Sequence, residues 1–334
     1  MAASSEVRIL EVGPRDGFQN LQDFIPTAKK AQIIRKLIEA GLNHIEFSSF
    51  SHPKWIPQLA DAAELYSLLR NEPGVTFRAL VPNEKGLERA LEKGVREITW
   101  VVHTTDRGNL ANLNMTTAQS LEMIRRIGAR VKGMETRFCG SIAYALGDPV
   151  EGEVPVQRVL DIIRVFHQVG VREISIADSI GIANPLQVRR FFPPLMEAFP
   201  DVTYSVHLHN ILGLGMANAF AAWEAGVRIF ESSIAGLGGC PYAPHPGGNI
   251  ATEELVYMFD KLGVRTGIRL EKLLEARDFL RAVVGEKPRL QVGRPEEKSG
   301  LSSPPGMAGP RKSGISIPEA CDRSGDPSTE SDKG

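Results

Sequence analysis

The chain has 334 residues, 42% hydrophobic and 24% charged, with 39 basic and 40 acidic side chains and a net charge of -1. A nucleic-acid binder would carry a basic surplus, and no apolar run reaches the length of a membrane span, so neither class of partner is expected. Three widely spaced cysteines, Cys139, Cys240 and Cys321, form no disulfide framework, and a reducing cytoplasm is the expected setting.

The opening text, MAASSEVRILEVGPRDG, enters a strand-like run at once, with no signal-peptide or transit pattern. Short β-like runs then alternate with amphipathic helical stretches. The predicted strands are Val7–Val12, His44–Ser48, Thr76–Val81, Glu97–Val102, Thr136–Tyr144, Glu173–Ala177, Thr203–His209 and Arg228–Ser232. Helical text such as AKKAQIIRKLIEAG and VQRVLDIIRVFHQVG lies between them, and helices end at Gly41, Gly94, Gly170 and Gly226, the expected left-handed caps. Eight βα units predict an α/β protein, a (β/α)8 TIM barrel filling residues 1–292. An open doubly wound sheet is the alternative, weakened because no Gly-rich dinucleotide fingerprint follows the first strand. From Gly293 to Gly334 the text turns rich in Pro, Gly and Ser, which predicts a disordered tail.

A barrel enzyme places its chemistry at the C-terminal ends of the strands. Strand 1 ends in EVGPRDG, carrying Arg15 and Asp16; strand 2 carries Glu46; strand 6 ends at Asp178; strand 7 ends in His207-Leu208-His209; strand 8 runs into a glycine loop with Cys240 and Asn249. Strand side chains alternate, so both imidazoles point the same way. That pair is compatible with metal chelation or with two polar groups bonded to neighbours. Asp16 and Asn249 would complete a nitrogen–oxygen ligand set with open positions, which suits Mg2+ or Mn2+ better than a closed zinc site. Arg15 is either a turn residue paired with a carboxylate or a guanidinium aimed at an oxyanion. Glu46 and Asp178 interrupt apolar strands, where carboxylates are seldom buried unless paired or functional; Glu46 paired with Arg15 is one such arrangement. A lone cysteine is usually a small buried hydrophobe. Cys240 sits instead in GLGGCPYA, where glycines permit close approach to a ligand and a thiol can act as acid or base. Cys139 reads as a strand residue and Cys321 as part of the tail.

Taken together, EVGPRDGFQN (11–20), IEFSSFSHPKWIPQLAD (45–61), NLNMT (112–116), ISIADSIGIANP (174–185), VHLHN (206–210) and AGLGGCPYA followed by GNIATEEL (235–255) resemble the 3-hydroxy-3-methylglutaryl-CoA lyases. These belong to a wider group of metal-dependent barrel lyases and Claisen-type synthases that includes isopropylmalate synthase. The cysteine loop is specific to the lyase branch; RDG and HxH mark only the wider group. The resemblance implies a metal ligated by Asp16, His207, His209 and Asn249, with Arg15 stabilising an enolate oxygen. It also implies that Glu46 and Asp178 order the site and that Cys240 is the acid–base residue of the loop. It implies an acyl-CoA substrate cleaved to acetyl-CoA and a keto acid such as acetoacetate, as in leucine degradation, and a homodimer. Asp178, His207 and Asp16 all remain open as the group that takes the hydroxyl proton.

Three departures from the lyase text bear on the acyl group. Asn210-Ile-Leu-Gly-Leu214 follows the second histidine where lyases have Asp-Thr-x-Gly-Gln, His245-Pro246 replaces Gly-Ala, and a histidine position in the strand 4 loop holds Gly108. Two other functions compete. A synthase condensing acetyl-CoA with a 2-oxo acid is favoured by His209-Asn210 but opposed by the cysteine loop. A non-catalytic binding barrel would be expected to have lost ligands, and all four are present.

Overall fold

The computed structural model describes residues 6–238 and 248–285. Eight parallel strands run β1 (Arg8–Glu11), β2 (His44–Ser49), β3 (Thr76–Leu80), β4 (Glu97–His103), β5 (Arg137–Ala143), β6 (Glu173–Asp178), β7 (Thr203–Leu208) and β8 (Ile229–Ser232). They stand in sequence order around a closed barrel, with β8 paired back onto β1. This is the (β/α)8 architecture expected, and closure excludes the open sheet. Each strand lies within one residue of its expected bounds at either end. Around it lie α1 (Thr27–Ala40), α2 (Ala62–Leu69), α3 (Glu84–Glu92), α4 (Asp106–Leu113), α5 (Thr117–Val131), α6 (Val156–Gln168), α7 (Pro185–Ala198), α8 (Gly215–Glu224), α9 (Thr252–Lys261) and α10 (Leu270–Val284). The four glycines expected as helix caps all adopt left-handed angles. No helix among the described residues is long and apolar enough to cross a membrane.

Strand alternation decides what meets the helices and what fills the barrel. On β4, Ile98, Trp100 and Val102 are fully buried, and Trp100 Nε1 donates to Ser120 of α5 at 3.2 Å. These residues face the helical shell. Glu97, Thr99, Val101 and His103 face the lumen. At the N-terminal end of the lumen, charges replace the usual branched aliphatics. Arg78 Nε donates to Glu97 at 2.6 Å and its Nη2 to Glu173. His44 and Arg137 also bond Glu97, and Arg8 bonds Glu173. Leaving one partner of such a buried network unpaired is far costlier than forming it. The polar lumen extends upward to the chemistry-bearing residues at the C-terminal end.

Candidate active site

The Gly13–Gly17 segment leaves β1 in one wide helical turn, with Asp16 N–H donating to Val12 O at 2.7 Å. The turn delivers two opposite charges to the mouth of the lumen. Arg15 Nε donates to Glu46 Oε2 at 2.6 Å and Nη1 to Asp16 Oδ1 at 2.6 Å. Glu46 thus pairs with Arg15, the arrangement weighed from the sequence. Burial works against the charge on Arg15, but Glu46 and Asp16 outweigh it and raise its pKa further. Burial likewise opposes ionisation of Asp16, yet Arg15 and the two histidines hold its carboxyl below the usual range. The guanidinium is therefore a fixed cation and Asp16 a fixed anion.

On β7, Leu208 points into the shell and both imidazoles into the lumen, as alternation requires. His207 Nε2 and His209 Nε2 lie 3.0 Å apart. One ligand atom each from Asp16, His207 and His209 falls within 4.8 Å of the others. Asn249 reaches the group because the chain after the glycine loop pairs with the end of β7. Ile250 N–H donates to Leu208 O at 3.0 Å, and Asn210 N–H to Gly248 O at 2.9 Å. Asn249 Nδ2 donates to Asp16 Oδ2 at 2.7 Å and to Leu237 O at 2.9 Å. Its Oδ1 is buried with no hydrogen-bond partner among the described residues. Two imidazole nitrogens, a carboxylate and an unclaimed amide oxygen make a donor set fitted to a divalent cation of the Mg2+ or Mn2+ kind. A second cluster, His44–Glu97–Glu173, has comparable spacing, but the Arg78 guanidinium already bridges its two carboxylates.

Gly238 ties the cysteine loop to this cluster. At φ +100°, a Cβ there would lie 2.6 Å from Asn249 Nδ2 and 3.1 Å from Asp16 Oδ2, so only glycine fits. Cys240, His245 and Pro246 lie outside the described residues. Both flanks, Gly238 and Gly248, lie beside the Asp16–Asn249 pair. Asp178 sits at the end of β6 and accepts N–H bonds from Ile182 at 3.1 Å and Ala183 at 3.0 Å, which folds the following loop over the strand end. Burial, resisted by those bonds, raises its pKa to about 6.

The HMGL-like family model matches residues 6–280. The chain belongs to the HMGL-like family. Hydroxymethylglutaryl-CoA lyase YngG of Bacillus subtilis is 39% identical over 286 residues, 86% of this chain and 96% of that protein. The (R)-citramalyl-CoA lyase of Chloroflexus aurantiacus is also 39% identical, over 298 residues, 86% of this chain and 94% of its own length. Among solved structures, an HMG-CoA lyase from Acinetobacter baumannii in complex with coenzyme A and 3-methylmalate aligns with TM-score 0.84 at 35% identity, covering 91% of this chain and 100% of that one.

Within this HMGL-like barrel the departures have physical readings. Gly108 lies in the first turn of α4, under the imidazole of His103. A Cβ at 108 would lie 2.9 Å from His103 Cβ and Nδ1, so the His103 ring occupies the space beside this turn and position 108 must stay small. His103 also meets Asn112 at 2.9 Å and packs edge-on against Tyr144, and burial pushes its pKa down to about 4. Gly108→His is expected to destabilise the fold by roughly 1–3 kcal/mol through overpacking, and pairing it with His103→Ala should restore much of the loss. Thermal melts of the single and double variants check this; equal melting points for wild type and Gly108→His would contradict it. Asn210 Oδ1 accepts from Gly215 N, the first residue of α8, at 2.9 Å, while its own N–H donates to Gly248 O.

Three buried acids around the site and the base of the cysteine loop escaped the sequence reading. Glu231 on β8 meets His207. Glu11 accepts from Gly13 N, Ile234 N and Thr252 Oγ1, tying the arginine turn to the base of the cysteine loop. Glu253 accepts from Ala235 N. Glu231 interrupts the apolar text RIFESS just as Glu46 interrupts IEF, so the same signal, a carboxylate inside an apolar strand, points to it.

Proposed function

We propose that this protein is a divalent-metal-dependent carbon–carbon lyase that cleaves 3-hydroxy-3-methylglutaryl-CoA, or a close homologue, to acetyl-CoA and a keto acid, acetoacetate for that substrate. The observation that carries this reading is the meeting of Asp16, His207, His209 and Asn249 beside a buried, doubly paired Arg15 at the C-terminal end of the barrel. Cleavage removes the proton of the tertiary hydroxyl, turns that C–O bond into a carbonyl and breaks the bond to the thioester α-carbon. The electron pair moves into a thioester enolate, which then takes a proton on carbon. A bound Mg2+ or Mn2+ supplies Lewis-acid polarisation of the substrate oxygens. Arg15, held by Glu46, faces the developing enolate charge. Asp178, His207 and Asp16 are the groups we propose for receiving the hydroxyl proton, and Cys240 delivers or takes a proton from the loop. A synthase is not favoured, since the relatives matched at 37–39% identity over 86% of the chain are lyases.

The setting we propose is a homodimer in the cytoplasm, with leucine breakdown as the pathway. The equal similarity to a citramalyl-CoA lyase and the changes at Asn210, Leu214 and His245 make the acyl group the point to test. Asn210→Asp with His245→Gly and Pro246→Ala is expected to shift the ratio of kcat/KM between hydroxymethylglutaryl-CoA and (R)-citramalyl-CoA. An unchanged ratio across both thioesters would remove these residues from specificity. Acetyl-CoA release from neither thioester would overturn the proposal itself.

A further inference from the structure

We propose that Glu231 is the positioning residue that fixes His207 for metal ligation and withdraws its imidazole from proton transfer; this rests on the metal-ligand reading above. β7 and β8 pair with His207 opposite Glu231, so the two side chains stand next to each other in the lumen. His207 Nδ1 lies 3.0 Å from Glu231 Oε2, and Ser205 Oγ donates to Glu231 Oε1 at 2.8 Å. Glu231 is 6% exposed, so both of its oxygens are engaged away from bulk water. An ionised carboxylate only accepts, so Nδ1 of His207 carries the proton and Nε2 keeps its lone pair for the cation. His209 has no such partner among the described residues, where its Nδ1 is buried without a hydrogen bond. The two imidazoles are therefore unequal, and His207 is the one held in register before metal arrives.

A mechanistic consequence follows from counting lone pairs. With Nδ1–H committed to Glu231 and Nε2 to the cation, His207 has none left for the hydroxyl proton. Of the three groups open as base, Asp178 and Asp16 remain. His207 thereby leaves the catalytic set and keeps only its ligand role.

The test uses Glu231→Gln and Glu231→Ala in the full chain, with two readouts. Metal-free protein in alkaline buffer is examined by 15N NMR, with the His207 signals assigned by their loss in His207→Gln. Wild type should show a protonated Nδ1 at His207, and Glu231→Ala a mixture of tautomers. Calorimetric titration with Mn2+ should show affinity weakened roughly 10–100-fold in Glu231→Ala and less in Glu231→Gln, which keeps an accepting oxygen. If Glu231→Ala does not fold, Glu231→Gln carries both readouts, with a smaller loss and a partial tautomer shift. A bare Nδ1 at His207 in wild type, or wild-type Mn2+ affinity in the folded variants, would overturn the role given to Glu231. Wild type that binds no Mn2+ would sink the ligand reading instead, and the metal-free tautomer would still decide whether Glu231 sets His207.

Discussion

Removing divalent metal is expected to abolish turnover, by roughly 10³-fold or more, and Mg2+ or Mn2+ to restore it. The expectation follows from the donor set. Asp16 is held as an anion by Arg15, which sits at 2.6 Å. The two imidazole Nε2 atoms converge to 3.0 Å, and Asn249 Oδ1 is buried with no partner among the described residues. Such a cluster is poorly satisfied by its own members, because burial and the neighbouring His207 push the pKa of His209 down to about 3 and leave its ring neutral. A divalent ion would satisfy the nitrogens and the amide oxygen together. His209→Ala should reproduce the loss with the fold intact, because its ring's side-chain partner among the described residues is His207. Dialysis against chelator, metal analysis and a rate measurement on the same sample provide the check. Full turnover by protein shown to be metal-free would contradict the ligand assignment.

Cys240→Ser is expected to lower kcat by roughly 10²–10⁴-fold, the usual worth of one proton-transfer group, with KM moving much less. Metal affinity should stay at the wild-type value, since the thiol is outside the proposed ligand set. Alkylation should inactivate the protein, and bound substrate should protect it. Cys139 is the control. It is fully buried on β5, with its sulfur 3.5 Å from Arg78 Nη2. Burial, partly offset by Arg78, pushes its pKa up to about 12, so it is an unreactive thiol. Cys139→Ser should change stability and leave kcat alone. Near wild-type kcat in Cys240→Ser would withdraw the acid–base role and leave the cysteine as a residue that merely fits its turn.

Much of this was legible in the sequence because a barrel repeats two simple periodicities. Apolar runs bounded by glycine-capped helices located all eight strands, and alternation alone placed His207 and His209 on one side. The convergence of Asp16 and Asn249, far apart in the chain, was carried by their places at the ends of barrel strands together with motif resemblance; the structure supplies its cause in the pairing of the 248–250 segment with β7. What escaped lay in tertiary pairing. The partner of Glu231 is fixed by strand register, which one strand's text does not contain. The Glu11 link to Ile234 and Thr252 spans most of the chain. Gly108 read as a missing histidine, because sequence order hides that His103 fills the same space from the strand below it.

The most direct test of the central claim is product analysis with 3-hydroxy-3-methylglutaryl-CoA. Purified protein, Mg2+ and the thioester are incubated, and acetyl-CoA and acetoacetate are quantified by mass spectrometry. A parallel sample receives acetyl-CoA and a 2-oxo acid. Equal amounts of the two cleavage products in the first sample, and no condensation product in the second, are predicted. An intact thioester in the first, or an extended acid with free coenzyme A in the second, would contradict the account.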